Sequence, residues 1–387
     1  MKKQSLFALP SQKHFEIIFV LCNTLICAIL WFIPTGFENP SMTKSSLRER
    51  AIVLEVDNDD LQATGIVTVG TQDLTIQILS GPFRGHTIAA KNVLMGQMNI
   101  DRIFEVGDKV LAILQLSPDR DCITSARADN LYRVHIELLL FGLFALFLIA
   151  FAGWTGLKAL LSFVLTALAI WKILIPLLLK GYSPIPAAFL IVSGTTTCII
   201  LLISGFTRKG VVALSGAIAG VGLTTILAVL FGYFFRIPGT VQEFSETLLY
   251  AGFLHLRISH IFLASIFISA SGAVMDVAMD IASAQNEIVQ KRPDISAREL
   301  TISGFRIAKP VIGTMTTTLL FAYSGSFMFT FMIFMAKGTP MIYIFNINYI
   351  AAEILHTLVG SFGLVLVAPI TALIGGSYYH KEANTPH

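Results

Sequence analysis

The sequence predicts an all-α polytopic membrane protein of about eight transmembrane helices, with a small extracytoplasmic all-β domain, OB-like or barrel-sandwich, between the first two. Three observations carry this. Of 387 residues, 55% are hydrophobic and only 13% charged, with mean hydropathy +0.74; soluble proteins average about 25% charged residues. Apolar runs of spanning length recur from residue 15 to residue 376. The one long polar stretch between them alternates apolar and polar residues at strand period.

The first run, Phe15–Pro34, has an apolar core longer than a signal-peptide h-region and is followed by no clean small-residue cleavage site, so it reads as a retained anchor. Lys2, Lys3 and Lys13 precede it and place the N-terminus in the cytoplasm. The region Thr35–Arg133 then lies outside. Within it Ala51–Val56, Thr64–Val69, Leu74–Leu79, Thr87–Ala89 and Lys109–Leu116 read as strands. Gly70, Gly81, Pro82, Gly85 and Gly107–Asp108 read as turns.

Further spans are expected at 135–152, 157–178, 184–204, 210–234, 258–284, 307–334 and 346–376, each roughly the 17–25 residues a crossing needs or longer if tilted. The chain thus divides into an N-terminal tail and anchor (1–34), the β-region (35–133), a seven-helix membrane domain (134–376) and a cytoplasmic tail (377–387). Lys158, Arg208, Lys209 and the loop Lys291–Lys309 fall on the cytoplasmic side, and this loop is rich in Lys and Arg, as the positive-inside rule requires. Gly239–Arg257 reads as an amphipathic helix lying on the outer surface, the alternative being a re-entrant segment.

The sixth span contains SGAVMDVAMDIASAQNE (271–287). At about 100° per residue, Ser265, Ser269, Gly272, Asp276, Asp280, Ser283 and Glu287 fall within about 40° of one line. A carboxylate at bilayer depth costs roughly 2.5–3.5 kcal/mol on insertion scales, so this stripe is expected to face protein or water. Asp276 and Asp280, one turn apart, suit a shared proton or a chelated cation; the alternative is hydration near the cytoplasmic end. The eighth span carries Glu353-x-x-His356, which projects a carboxylate and an imidazole from one face, either as a site or as a self-neutralising pair that packs two helices. The seventh supplies hydroxyls. Of these, Thr314, Thr317 and Thr318 are expected to complete a site with the aspartates, the alternative being helix–helix packing. Gly216-x-x-x-Gly220 in the fifth span reads as a packing seam.

Several classes are excluded or disfavoured. The net charge of +3 is too small to suggest nucleic-acid binding. The four cysteines form neither a disulfide framework nor a Cys–Cys metal motif. No nucleotide-binding loop, metalloprotease motif or nucleophile elbow occurs, so no cofactor and no catalytic residue is expected. An intramembrane enzyme ranks last, because no nucleophile partners Glu353 and His356.

SGAVMDVAMDIASA (271–284), ARELTISG (297–304), GTMTTTLLFAYSGS (313–326) and EILHTLVGSFGLVLVAPITALI (353–374) resemble the YibE/F family of bacterial membrane proteins. Thr317 departs from the resemblance, which leads one to expect Asn there, and an acidic residue is expected near Lys309 or Pro310. The resemblance implies a fold and a place in the bacterial cell membrane; it carries no activity. The residues point to a secondary transporter or permease component moving a small solute or ion with proton or cation coupling. Asp276, Asp280, Thr314, Thr317 and Thr318 would form the coupling site, and Glu353 and His356 an outer gate. The alternative is a non-transporting envelope assembly or partner-binding protein. Expected partners are the lipid bilayer, the solute or ion, and a second copy or an envelope protein through the β-region.

Overall fold

The computed structural model describes residues 12–37, 46–119 and 121–383. Lys2, Lys3 and the last residues of the expected tail, 384–387, lie outside the described residues. The chain forms two compact units, one of residues 37–147 and one of residues 1–36 with 148–387.

The smaller unit is a closed β-barrel. Strands β1 (Ser46–Asp57), β2 (Leu61–Thr64), β3 (Val67–Ile78), β4 (Thr87–Met95), β5 (Lys109–Leu116) and β6 (Ile123–Leu131) run β1-β5-β6-β4-β3-β2, and an additional β1–β3 pairing closes the ring. Strand alternation turns Ala51, Val53, Leu74, Ile76, Ile78, Val110, Ala112 and Leu114 inward to a core that excludes water. Two buried amides pin the loop before β5. Gln72 Nε2 donates to Phe104 O at 2.9 Å, and Asn92 Nδ2 donates to Gln72 Oε1 at 3.0 Å and to Arg102 O at 2.7 Å.

Three strand expectations are corrected. Thr64–Val69 is not one strand: Thr64 pairs with Val67 across a hairpin turn, where Gly65 takes φ 63° without a Cβ penalty. Gly70 is no turn but a ladder residue of β3, opposite Leu61 and Leu94. Strand β6 was not expected; its fully buried residues are Ala126 and Ala128, too small to show an apolar period, and only its end residues Ile123 and Leu131 add apolar contact.

In the larger unit, α1 (Gln12–Phe32) meets the second half of α2 (Val134–Ala169), where Cys27 and Leu30 cluster with Leu165 and Leu168, and polar contacts reach α2 and the π-turn after it. Lys158 Nζ lies 3.6 Å from Glu16 Oε2, and Lys172 Nζ donates to Ile33 O at 2.9 Å. Helix α2 continues through a π-turn into α3 (Ile175–Leu179). The run Val134–Leu179 has 46 residues, about 69 Å at 1.5 Å per residue, too long for one crossing. Gly153 breaks it with non-helical φ 53°, ψ −125°, which only glycine adopts readily.

Then follow α4 (Pro184–Ser204), α5 (Arg208–Phe235), α6 (Ser245–Tyr250), α7 (Ile258–Lys291), α8 (Ala297–Ser326), α9 (Met328–Ala336), α10 (Met341–Asn346) and α11 (Asn348–Ala383). Local chemistry sets several starts. Pro184 opens α4 at a first-turn position, where its missing N–H costs nothing. Thr207 caps α5 by accepting from Gly210 N, and Ser296 caps α8 by accepting from Glu299 N, both at 3.2 Å. Helices α5, α7, α8 and α11 pack as the core of this unit. Their approach depends on glycine: a Cβ at Gly216 would strike the Thr371 side chain, and one at Gly220 would sit 2.7 Å from Val367 and 2.8 Å from Val274. The small-residue seam is therefore a packing seam.

Among the described residues, five helices are long and apolar enough to cross a membrane, six if the bent pair α8–α9 is one span. Eight would require adding the shorter Glu16–Phe32 and dividing 134–179 at Gly153. The continuous 307–334 span is corrected: α8 and α9 bend by 64° at Phe327. The outer amphipathic helix over 239–257 is also corrected, since a 3₁₀ turn at Gly239–Val241 and the six-residue α6 replace it. Phe244, at φ 58°, interrupts any longer helix there.

Candidate functional site

Helix α7 divides its residues sharply between two faces. Ala270, Val274, Val277, Ala278, Ile281, Ala282 and Gln285 are buried against α5, α8 and α11. The opposite side carries Ser269, Gly272, Asp276 and Asp280, all exposed. These four form an open polar line about 16 Å long by the helical rise. Nothing lies within 4 Å of a Cβ built at Gly272. Among the described residues neither aspartate makes a hydrogen bond or an ion pair.

The line meets a polar cluster at Ser269. His356 Nε2 of α11 is 2.5 Å from Ser269 Oγ. Tyr323 of α8 donates its hydroxyl to the same oxygen at 3.3 Å, and its ring lies 4.7 Å from the His356 ring. Glu353 Oε2 stands 3.8 Å from His356 Nδ1. That distance is too long for a hydrogen bond but close enough for strong attraction to a protonated imidazole. The Glu353 and His356 side chains are only 17% and 15% exposed. One turn of α11 sets Glu353 beside His356, and antiparallel packing of α7 against α8 brings in the hydroxyls.

Ser269 has two competing acceptors for one proton. Its hydroxyl lies 3.0 Å from Ile266 O and 2.5 Å from His356 Nε2. If it donates to His356, the imidazole is neutral at Nε2; if it donates to Ile266 O, it accepts from a protonated Nε2. Cluster and rotor together can hold a proton in either of two places.

The expected partnership of aspartates and threonines does not form. Thr314, Thr317 and Thr318 are exposed and donate to their own helix, to Pro310 or Val311 O, Gly313 O and Thr314 O respectively. The reason is helical phase. Tyr323 marks the inward face of α8; Thr316 lies about 20° from it, whereas Thr314, Thr317 and Thr318 lie about 120–180° away. Glu353 and His356 come together on α11, whereas Asn346 of the expected eighth span ends the separate helix α10 and donates to Ile342 O.

Two participants escaped the sequence reading. Ser269 stood on the stripe with no role assigned. Gln285 was not singled out, yet it is fully buried and its Nε2 donates to Leu300 O at 3.3 Å and Ala372 O at 3.0 Å, tying α7, α8 and α11. The available signal was its phase, about 180° from Asp276, an amide on the apolar face. Among the described residues no group of three or more His, Cys, Asp or Glu could hold a metal ion.

The model of the YibE/F-like protein family matches residues 140–381. The chain belongs to the YibE/F-like family. The match spans α3 to α10 entire and includes every residue of the cluster and of the polar line, so the site is built within the family's own region. No curated protein and no solved structure matches this YibE/F-like chain. The family and the apolar helices together fit a membrane protein.

Proposed function

We propose that the chain is a proton-coupled secondary transporter or permease component that moves a small cation or solute across the bacterial cell membrane. The observation that supports it most is the continuity of the exposed line Ser269–Gly272–Asp276–Asp280 with the Tyr323–Ser269–His356–Glu353 cluster. Carboxylates at bilayer depth must meet water or protein. On this reading they line a solvated cleft, His356 and Glu353 exchange the proton, and Asp276 and Asp280 handle the cation. The bend at Phe327 places a discontinuous helix beside the cluster, as transporter sites commonly have. An assembly role calls for acids satisfied inside a dry bundle, which Asp276 and Asp280 are not.

Ser269, His356 and Glu353 also stand in the order of a hydrolytic triad. Two features speak against that use. The histidine–carboxylate contact is 3.8 Å. Ser269 lies inside a continuous helix, where backbone N–H groups are engaged and none is free to stabilise an oxyanion.

The test is purified protein in liposomes with an entrapped pH dye and an imposed proton gradient, challenged with Na⁺, K⁺ or Mg²⁺ salts in turn. The expected result is cation-dependent proton movement above empty liposomes that disappears in His356→Gln and in Asp276→Asn. Equal traces for wild type and both variants would overturn the proposal.

A further inference from the structure

A groove of about 1010 Å³ in the β-barrel unit is lined by residues of β1, β3, β4, β5 and β6. Strand register places five of its residues in one row across five strands. Asp57 of β1 faces Asp73 of β3, Asp73 faces Lys91 of β4, Lys91 faces Arg127 of β6, and Arg127 faces Ile113 of β5. The row therefore reads acid, acid, base, base, apolar. The neighbouring row is floored by Ala89 and Ser125, which are small and leave the groove open.

This order is unfavourable for the barrel alone. Like charges directly opposite one another destabilise a sheet, and both the Asp57–Asp73 and the Lys91–Arg127 neighbours are of that kind. No ion pair joins Asp73 to Lys91 among the described residues. Arg127 reaches Asp129, outside the groove, at 4.0 Å, and 52% of its side chain stays exposed. An acidic pole of Asp57 and Asp73, with Glu55 in the neighbouring row, and a basic pole of Lys91 and Arg127 thus line one cavity. Their centres are two strand spacings apart, about 10 Å.

We propose that this groove binds a short zwitterionic peptide, its carboxylate over Lys91 and Arg127 and its ammonium over Asp57 and Asp73. An extended peptide of about three residues spans about 10 Å between its termini, which matches the separation of the poles. The small floor admits its backbone, and Ile113 offers apolar contact beyond the carboxylate end. The inference is independent of the transport reading, since it concerns the other unit and a separate measurement.

The experiment titrates full-length protein in detergent with trialanine, N-acetyl-trialanine and trialanine amide, read by calorimetry. Trialanine is expected to bind saturably and each capped peptide about tenfold more weakly. Lys91→Gln with Arg127→Gln should erase the penalty for amidation, and Asp57→Asn with Asp73→Asn the penalty for acetylation. Unchanged thermal melting of both double variants shows that the barrel is intact. Equal binding of free and capped peptides, or no saturable binding up to about 10 mM, overturns the proposal. Tighter binding of poly-glutamate or poly-lysine than of trialanine overturns it as well, because a single-sign polymer would then be the better fit.

Discussion

His356 sits between a hydroxyl, a phenol ring and a carboxylate, and these neighbours differ in what they contribute. Ser269 holds the proton rotor, Tyr323 donates into it, and Glu353 supplies charge at 3.8 Å. These roles separate under mutation. Ser269→Ala removes both the acceptor for Tyr323 and the contact to Nε2, so proton-coupled flux should fall by about tenfold or more. Tyr323→Phe keeps the ring against His356 and removes only one neutral hydrogen bond, worth about 1 kcal/mol, so a fewfold loss is expected. Initial rates in the liposome assay distinguish the two; equal losses would mean that the hydroxyl of Ser269 is not the relay atom. Gln285 belongs to another category. Its buried amide joins three helices, and Gln285→Leu, which abandons two carbonyl acceptors, should lower stability with little specific effect on flux per folded molecule.

At the scale of elements, helix α7 is legible in its sequence and its surroundings are not. The period of Ser265, Ser269, Gly272, Asp276 and Asp280 shows one polar side, and the structure has it. Which helices lie beside that side depends on the phase of α8, and phase is lost at the first uncertain boundary. Thr314, Thr317 and Thr318 illustrate this: a hydroxyl-rich segment was visible, while the 20° neighbour Thr316 is the member that turns inward. Glycines make the same point as a pair. Gly220 sits against Val367 and Val274, so Gly220→Val overpacks the seam and should cost about 1–3 kcal/mol, seen as a lower melting temperature in detergent. Gly272 has open space, so Gly272→Cys in a background without the native cysteines should fold normally. If the polar line is solvated, this cysteine reacts quickly with an impermeant, charged thiol reagent. Slow reaction with that reagent and fast reaction with a lipid-soluble maleimide would place the line in lipid and remove the cleft.

For the whole molecule, the two units make separate claims. The barrel is closed by pairing β1 with both β3 and β5, and its core excludes water without help from the helices. Its expected place outside the cytoplasm is tested by Asn58→Cys, an exposed position beside the β1–β2 turn. The cysteine should be labelled by an impermeant reagent added to intact spheroplasts; labelling only after lysis reverses the topology.

Composition and period by themselves determined a great deal here. Apolar runs of spanning length can be buried only in lipid or in one another, so the helical membrane character was readable before any contact was known. Strand alternation showed most of the barrel, and failed at β6 because alanine carries almost no hydrophobic signal. The spacing of Glu353 and His356 fixed their adjacency, since residues three apart share a helix face whatever the tertiary fold. Only the tertiary structure decided that Ser269 and Tyr323 join them, that α8 turns its threonines away, that α8 and α9 bend by 64°, and that Asp57, Asp73, Lys91 and Arg127 share one row. The physical reason is common to all four: each depends on the register between elements distant in sequence, and register is set by side-chain packing over the whole interface rather than by any local preference.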